Sequence, residues 1–357
     1  MPESGQTSRR KGEHLEIVLN KAVQFKEKST GLEDVQFKEI ELPYNALPEI
    51  DKKEINLSTS FLGKKFRAPL MVSGMTGGIK EAEKVNKDIA KACQETGLGM
   101  GVGSQRAMIE HPELTETYYV RDVAPDIFLA GNIGIAQLAE YSVKEIKAAV
   151  EGIKADALAI HLNAAQEAVQ KEGDTNFKNS LLYIKKLVGS LRIPVYVKEV
   201  GNGITFEAAK KIAATGVKAI DVQGAGGTTW VGVEAFRGNG EIANTFWDVG
   251  IPTTVSVLEC RKAFKGPIVA SGGIRSGMDM SKCLMLGADM CSMAYPVLKA
   301  QNAGGSNAVK RFFEHTIEEL RTAMFLVGAK NLKELKKQKP ILKGKTLDWA
   351  KQRKLVK

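Results

Sequence analysis

Short apolar runs alternate with amphipathic stretches from residue 69 onward. The runs are PLMVSG (69–74), LGMGVG (98–103), IFLAGNIG (127–134), ADALAIH (155–161), PVYVKE (194–199), VKAIDV (217–222), PIVASGG (267–273) and ADMCSMA (288–294). Each has the length of a buried strand. Between them, residues 81–97, 177–191, 205–216 and 276–287 carry helical patterns. Thr205 reads as an N-cap and Gly216 as the end of that helix. Strands alternating with helices predict a parallel sheet. Eight such units predict an α/β fold, a closed (β/α)8 TIM barrel over residues 69–328. An open doubly wound sheet would carry G-x-G-x-x-G after its first strand, and GLGMGVGS (97–104) has a different spacing. Residues 1–68 form an N-terminal extension, with a helix expected around 9–24 and a mixed segment over 32–60. Residues 329–357 form a basic C-terminal tail.

Charge changes the picture only at that tail. The chain carries a formal charge of +10. Eleven Lys/Arg against two Asp/Glu after residue 329 account for +9 of it. A nucleic-acid surface needs a basic face interleaved with aromatics. Here a single Trp349 accompanies the cations, so the expectation is a solvated or subunit-contacting segment and no nucleic-acid partner. No apolar run reaches the length of a membrane span, and the polar start MPESGQTSRRKGEH lacks the apolar core of a secretory signal. A cytoplasmic protein is expected. The four cysteines, Cys93, Cys260, Cys283 and Cys291, have no C-x-x-C spacing, which points away from zinc and disulfides.

Ligands of such barrels bind at the C-terminal ends of the strands. The residues there are polar in every unit: Met75-Thr76-Gly77-Gly78, Ser104-Gln105-Arg106, Asn132, His161-Leu162-Asn163 with Gln166 and Glu167, Lys198, Gly224–Thr229, Gly272-Gly273-Ile274-Arg275, and Ala294-Tyr295. SGGIRSG (271–277) joins a strand to a helix, and glycine N–H groups at a helix start attract phosphate. Gly99, Gly101 and Gly103 share one strand face. They either leave room for something flat and large or answer to tight packing of the barrel. A lysine ending a strand, Lys198, is costly without an anionic partner. Arg10 and Lys11, near His14, form a basic cluster that is either a solvated helix end or a cover for an anionic substrate.

The motifs SGMTGG, GVGSQR, GNIG, HLNAAQE, VKEVG, GAGGTTW, SGGIRSG and SMA stand in that order near the strand ends. Together they resemble the type II isopentenyl-diphosphate isomerases, FMN-dependent (β/α)8 barrels, over roughly residues 9–328. The resemblance implies interconversion of isopentenyl and dimethylallyl diphosphate by a 1,3-allylic proton shift, with reduced FMN, Mg²⁺, and NAD(P)H as reductant. It also implies a homo-oligomer, a tetramer or octamer. By the same resemblance, Met75, Thr76, Gly77, Ser104, Asn132, Lys198, Thr228, Gly273, Arg275, Ala294 and Tyr295 match flavin-binding positions. Arg10, Lys11, Ser104, Gln105, Arg106 and Gln166 match substrate-binding positions, and Glu167 matches the Mg²⁺ ligand. His161, Asn163, Gln166, Trp230 and Glu234 match catalytic positions. Gln223 departs from the pattern, since many members carry Ser there in a flavin contact. The competing function is an FMN-dependent oxidoreductase on the same barrel, for which His161 would be the base.

Overall fold

The computed structural model describes residues 4–25, 35–238 and 240–356. Eight parallel strands close into a barrel: β1 (Leu70–Val72), β2 (Gly99–Gly101), β3 (Leu129–Gly134), β4 (Ala157–His161), β5 (Val195–Lys198), β6 (Ile220–Asp221), β7 (Ile268–Ser271) and β8 (Met290–Met293). Neighbours follow chain order, and β8 closes on β1 through Cys291 opposite Leu70 and Met293 opposite Val72. Each apolar run holds one strand. Their residues are buried on both faces, by helices outside and by side chains within, which is why they read as continuous apolar runs. The helices expected at 81–97, 177–191, 205–216 and 276–287 are Lys80–Thr96, Ser180–Ser190, Phe206–Ala213 and Gly277–Met285. Thr205 caps its helix, its hydroxyl accepting from the Ala208 N–H.

The end of the barrel away from the site is plugged. A hairpin, Thr59–Phe61 against Lys64–Phe66, inserts Phe61 and Phe66 beside Phe128 and Tyr196. Ala130, Ala157, Ala159 and Ala219 complete this interior layer. The glycine row of β2 answers to the same packing. A Cβ on Gly99 would stand 2.8 Å from the Phe128 Cβ, and one on Gly103 would stand 2.6 Å from the Thr76 carbonyl carbon. Of the three, Gly103 alone lines the mouth.

The N-terminal helix runs Ser4–Asn20, earlier than the expected 9–24. It stops because residues 23–25 extend along the loop after β6. The Thr229 N–H donates to the Val23 carbonyl, and the Phe25 N–H donates to that of Gly227. The mixed segment holds a turn of helix, Val35–Lys38, and a short strand, Ile40–Glu41.

The basic C-terminal segment departs from expectation. It is no free tail: it docks on its own barrel through a few buried residues while most of its cations stay at the surface. Ile341–Leu342 pairs antiparallel with Ile40–Glu41, and helix Gly344–Gln352 packs on helix Thr253–Ala263. Leu335 and Ala350 are fully buried. The Glu39 carboxylate accepts from the Lys345 and Thr346 N–H groups at the start of that helix. Its cations meet barrel carboxylates: Arg353 with Glu207 and Glu259, Lys336 with Asp289, Lys343 with Glu41. Composition shows the positive charge but not the acids that await it. Deleting residues 330–357 is therefore expected to destabilise the barrel. Losing the buried Leu332 and Leu335 side chains, and uncovering the barrel surface beneath them, costs on the order of 4 kcal/mol, roughly 10 °C in Tm. An unchanged thermal midpoint would show that the segment contributes nothing to the fold.

Candidate active site

The C-terminal ends of the strands open into one cavity, roofed by the N-terminal helix through Arg10, Lys11, His14, Leu15 and Val18. Met75, Thr76, Gly77, Ser104, Arg106, Asn132, His161, Asn163, Gln166, Glu167, Lys198, Thr228, Trp230, Gly273, Arg275, Ala294 and Tyr295 all line it. Two of the expected site residues do not. Gln105 is turned into the wall, its amide donating to the Ala149 carbonyl at 2.7 Å and accepting from the Asn132 N–H at 3.1 Å. There it braces β3, and its side chain does not line the cavity. Glu234 lies behind the lining, where it accepts a hydrogen bond from Gln166.

One end of the cavity is rimmed by backbone N–H groups of two glycine turns and a helix start. Gly272 and Gly273 follow β7 with φ of +101° and +76°, the left-handed region that glycine tolerates. Arg275 beside them donates to the Gln24 side chain at 2.6 Å and lies over the Tyr295 ring. Helix Tyr295–Leu326 starts without a side-chain cap at Ala294, and residues 294–296 line the cavity. Its first N–H groups and the glycine turn form an anion cup of the kind barrels place after their last two strands.

Further in, Lys198 is buried, its ammonium donating to the Glu199 carbonyl at 3.0 Å. Burial pulls its pKa down, while the Asp221 and Glu199 carboxylates act in the opposite direction. Asp221, opposite Lys198 in the register of β5 and β6, is the carboxylate whose charge most opposes that shift. Gln223 donates to the Asp221 carboxylate and to the Ser73 hydroxyl, both at 3.1 Å. The departure from Ser at this position thus ties β6 to β1 and keeps an amide at the cavity wall.

The stretch after β4 supplies the other end. The Asn132 amide is fixed by donating to the Val102 carbonyl, so its oxygen accepts from His161 Nδ1 at 2.9 Å. That sets the tautomer and leaves His161 Nε2 as an acceptor. Burial, then Lys198, Lys11 and Arg10, push the His161 pKa down to about 3. The imidazole is neutral throughout the physiological range. Asn163 donates to the Glu167 carboxylate at 2.7 Å, and its own Oδ1 is buried without a partner. Burial raises the Glu167 pKa despite the N–H of Asp174 at 2.8 Å.

Gln166 donates to Glu234 Oε1 at 3.1 Å, and His14 donates to the same atom from Nε2 at 2.9 Å. The Gln170 amide, oriented to satisfy both its ends, donates to Glu234 and accepts from Arg10. Burial alone would raise the Glu234 pKa, but the His14 hydrogen bond and its neighbours hold it below the ordinary value. Opposite, Lys11 donates to the Ser104 carbonyl at 2.9 Å and the Tyr118 hydroxyl at 2.7 Å. Burial and then Arg10 bring its pKa down to about 7.

A family model described as FMN-dependent dehydrogenase matches residues 121–341. A protein of Thermococcus onnurineus called isopentenyl-diphosphate delta-isomerase is 48% identical over 356 residues, covering 96% of this chain and 94% of its own. The chain belongs to the isopentenyl-diphosphate delta-isomerase family. Members from Pyrococcus furiosus (46% identical; 99% and 91% covered) and Methanothermobacter thermautotrophicus (44%; 97% and 96%) extend the match. Among solved structures, a lactate oxidase of Pediococcus acidilactici superposes with TM-score 0.69 at 19% identity, covering 96% of this chain and 95% of that one. A flavocytochrome b2 gives 0.71 at 20%, covering 94% and 83%. At such identity the likeness concerns the barrel alone.

Several residues of this isomerase-family site escaped the sequence. Asp221 ends an apolar strand as His161 does, so the same signal was available for it. Tyr118, Gln170 and Arg237 lie away from the strand ends, and only folding brings them in.

Proposed function

We propose that the protein interconverts isopentenyl and dimethylallyl diphosphate by moving one proton off and another onto a three-carbon unit. The observation that carries this reading is the division of the cavity. Cations (Arg10, Lys11, Arg106) and an uncharged reacting end (Gln166, His161, Trp230) face the same space. A diphosphate needs the first. A carbon framework that gains positive character as it is protonated needs the second, with the Glu234 carboxylate one hydrogen bond behind.

The residues fit FMN: a glycine cup with Arg275 for its phosphate, and Lys198 with Gln223 beside its ring. Reduced FMN, when bound, would supply acid/base chemistry to the reaction. This chain's side chains do the rest. Gln166 orients the alkene without ionising, Glu234 fixes the Gln166 amide, and the roof excludes water. They also fit Mg²⁺ held jointly with substrate phosphates, which needs few protein ligands. Glu167 is a hard oxygen donor, and the unpartnered Asn163 Oδ1 lies beside it. Among the described residues no group of three or more His, Cys, Asp or Glu forms a metal site, which fits an ion completed by substrate and water. We further read NAD(P)H as the reductant and the protein as cytoplasmic and homo-oligomeric. The four free cysteines support the location. The exposed Phe236, Ile242, Phe246 and Val249 support the assembly.

The oxidoreductase alternative needs a base beside the flavin. His161, with its pKa near 3, is a weak one. Purified protein should be yellow and should convert isopentenyl diphosphate only after dithionite reduction and with Mg²⁺. Stoichiometric consumption of NAD(P)H with product would overturn the isomerase reading.

Lys11 adds a pH dependence. A lysine with a pKa near 7 is charged below that value and neutral above it. Since kcat/KM reports the free enzyme, it should fall as pH rises through about 7, through rising KM. Lys11→Gln should lower kcat/KM and flatten this limb. The limb persisting in Lys11→Gln would assign it to another group.

A further inference from the structure

Arg237 ends helix Trp230–Arg237, facing away from the cavity, and no role in binding or chemistry falls to it in the reading above. Its guanidinium nevertheless meets three carboxylates on three different elements. Nη1 donates to Glu234 Oε2 at 2.6 Å, Nη2 to Glu172 Oε1 at 2.7 Å, and Nε to Glu13 Oε2 at 3.2 Å. Glu13 sits on the roof helix, between Lys11 and His14. Glu172 closes the segment that begins with Asn163, Gln166 and Glu167. Glu234 is the carboxylate that receives Gln166 and His14. The arginine side chain is 12% exposed and Glu234 2%. The planar fork presents its N–H groups in fixed directions, so it holds three acids in one arrangement as a flexible ammonium does not.

We propose that Arg237 is a positioning residue for the isomerisation: it fastens the roof helix, the β4 loop and Glu234 into one geometry, so that Gln166 is aimed and the cations of the roof stay over the diphosphate. The proposal rests on the functional reading above and extends it to a residue outside the cavity. Two links carry the effect inward. Glu234 Oε2 is occupied by Arg237, which turns Oε1 toward Gln166 and His14. The Glu13 contact keeps the helix bearing Arg10, Lys11 and His14 against the mouth. The charged groups facing this junction are Arg10, Glu13 and His14 from the roof, Glu172 from the β4 loop, and Glu234 with Arg237 from their own helix. Removing the guanidinium leaves three acids to repel one another across the seam.

The test uses the full-length holoenzyme. Arg237→Met should lower kcat on the order of a hundredfold and raise KM severalfold, while FMN affinity stays within about twofold, because none of Arg237's three partners belongs to the phosphate cup. Arg237→Lys should recover part of the loss, since one ammonium satisfies one or two of the three acids. Hydrogen exchange read independently of activity should speed up at least tenfold over residues 10–20 in Arg237→Met. That readout separates this proposal from the functional one: if wild-type protein fails to isomerise but exchange still rises, the reaction is wrong and the fastening stands. Unchanged exchange over residues 10–20, or an Arg237→Met variant with wild-type kcat, would overturn it. If Arg237→Met does not fold, Arg237→Lys decides alone: a wild-type kcat with unchanged exchange refutes the proposal, and lowered kcat at constant FMN affinity supports it.

Discussion

Gln166→Ala should leave the protein yellow and nearly inactive, with kcat lowered on the order of a hundredfold or more. Preorganised hydrogen-bonding groups aimed at the reacting atoms are worth that much. Gln166 is buried at the cavity wall, and its amide is held by the Glu234 carboxylate. Truncation removes an uncharged amide from the cavity wall and leaves a void that water enters, where water is a competitor for any cationic carbon. Among the described residues the Gln166 side chain hydrogen-bonds Glu234 and none of the glycine-cup residues, so flavin affinity should be unchanged. Gln166→Glu sharpens the point. It keeps the size but sets a second carboxylate against Glu234, and two close acids do not both ionise. Single-turnover assays with reduced enzyme, alongside the visible spectrum, measure both effects. Full turnover by Gln166→Ala would remove this residue from the chemistry, and loss of flavin would mean that it belongs to the cofactor site.

Gly273→Ala should have the largest effect on cofactor binding. Residue 273 has φ of +76°, which costs an L side chain roughly 1–2 kcal/mol. The added Cβ would lie 2.5 Å from the Gly226 oxygen and 2.6 Å from its carbonyl carbon, both backbone atoms that cannot swing aside. The contact is reciprocal, since a Cβ on Gly227 would stand 2.7 Å from the Gly273 nitrogen. The two glycine turns after β6 and β7 must therefore part, adding roughly 1–3 kcal/mol of overpacking. The anion cup they frame widens. FMN affinity should fall at least a hundredfold, with a lower Tm for the flavin-free protein. Gly216→Ala is the control. It carries φ of +87° with only Val188 at 3.4 Å, so it should cost stability and keep the flavin. Titration calorimetry of the apoprotein with FMN reads the difference. If Gly273→Ala binds flavin as the wild type does, the phosphate is not in this cup.

The chain's own pattern determined the barrel. Eight apolar runs of strand length, separated by helical stretches, became eight parallel strands in chain order. Burial on both faces leaves no polar alternation to confuse the period. The polar residues that break each run at its end were legible for the same reason. Polar groups such as His161 and Lys198 at the ends of buried strands are costly, and their recurrence at one barrel end pointed to a site. Sequence also left the glycines of β2 between two readings, because spacing says where a side chain is missing but not what fills the gap. The structure fills it with Phe66, Phe128 and the backbone of Thr76.

What only tertiary structure decided concerns partners distant along the chain. The tail's cations find Glu41, Glu207, Glu259 and Asp289, acids that composition could not pair with them. Gln105 lies in a motif of site residues yet turns inward, because the Asn132 N–H and the Ala149 carbonyl at that point need a partner. Arg237 reaches Glu13 across more than two hundred residues. Periodicity records which face of an element is buried, a local property. Which charge meets which is set by how elements from opposite ends of the chain pack, and no local pattern encodes it.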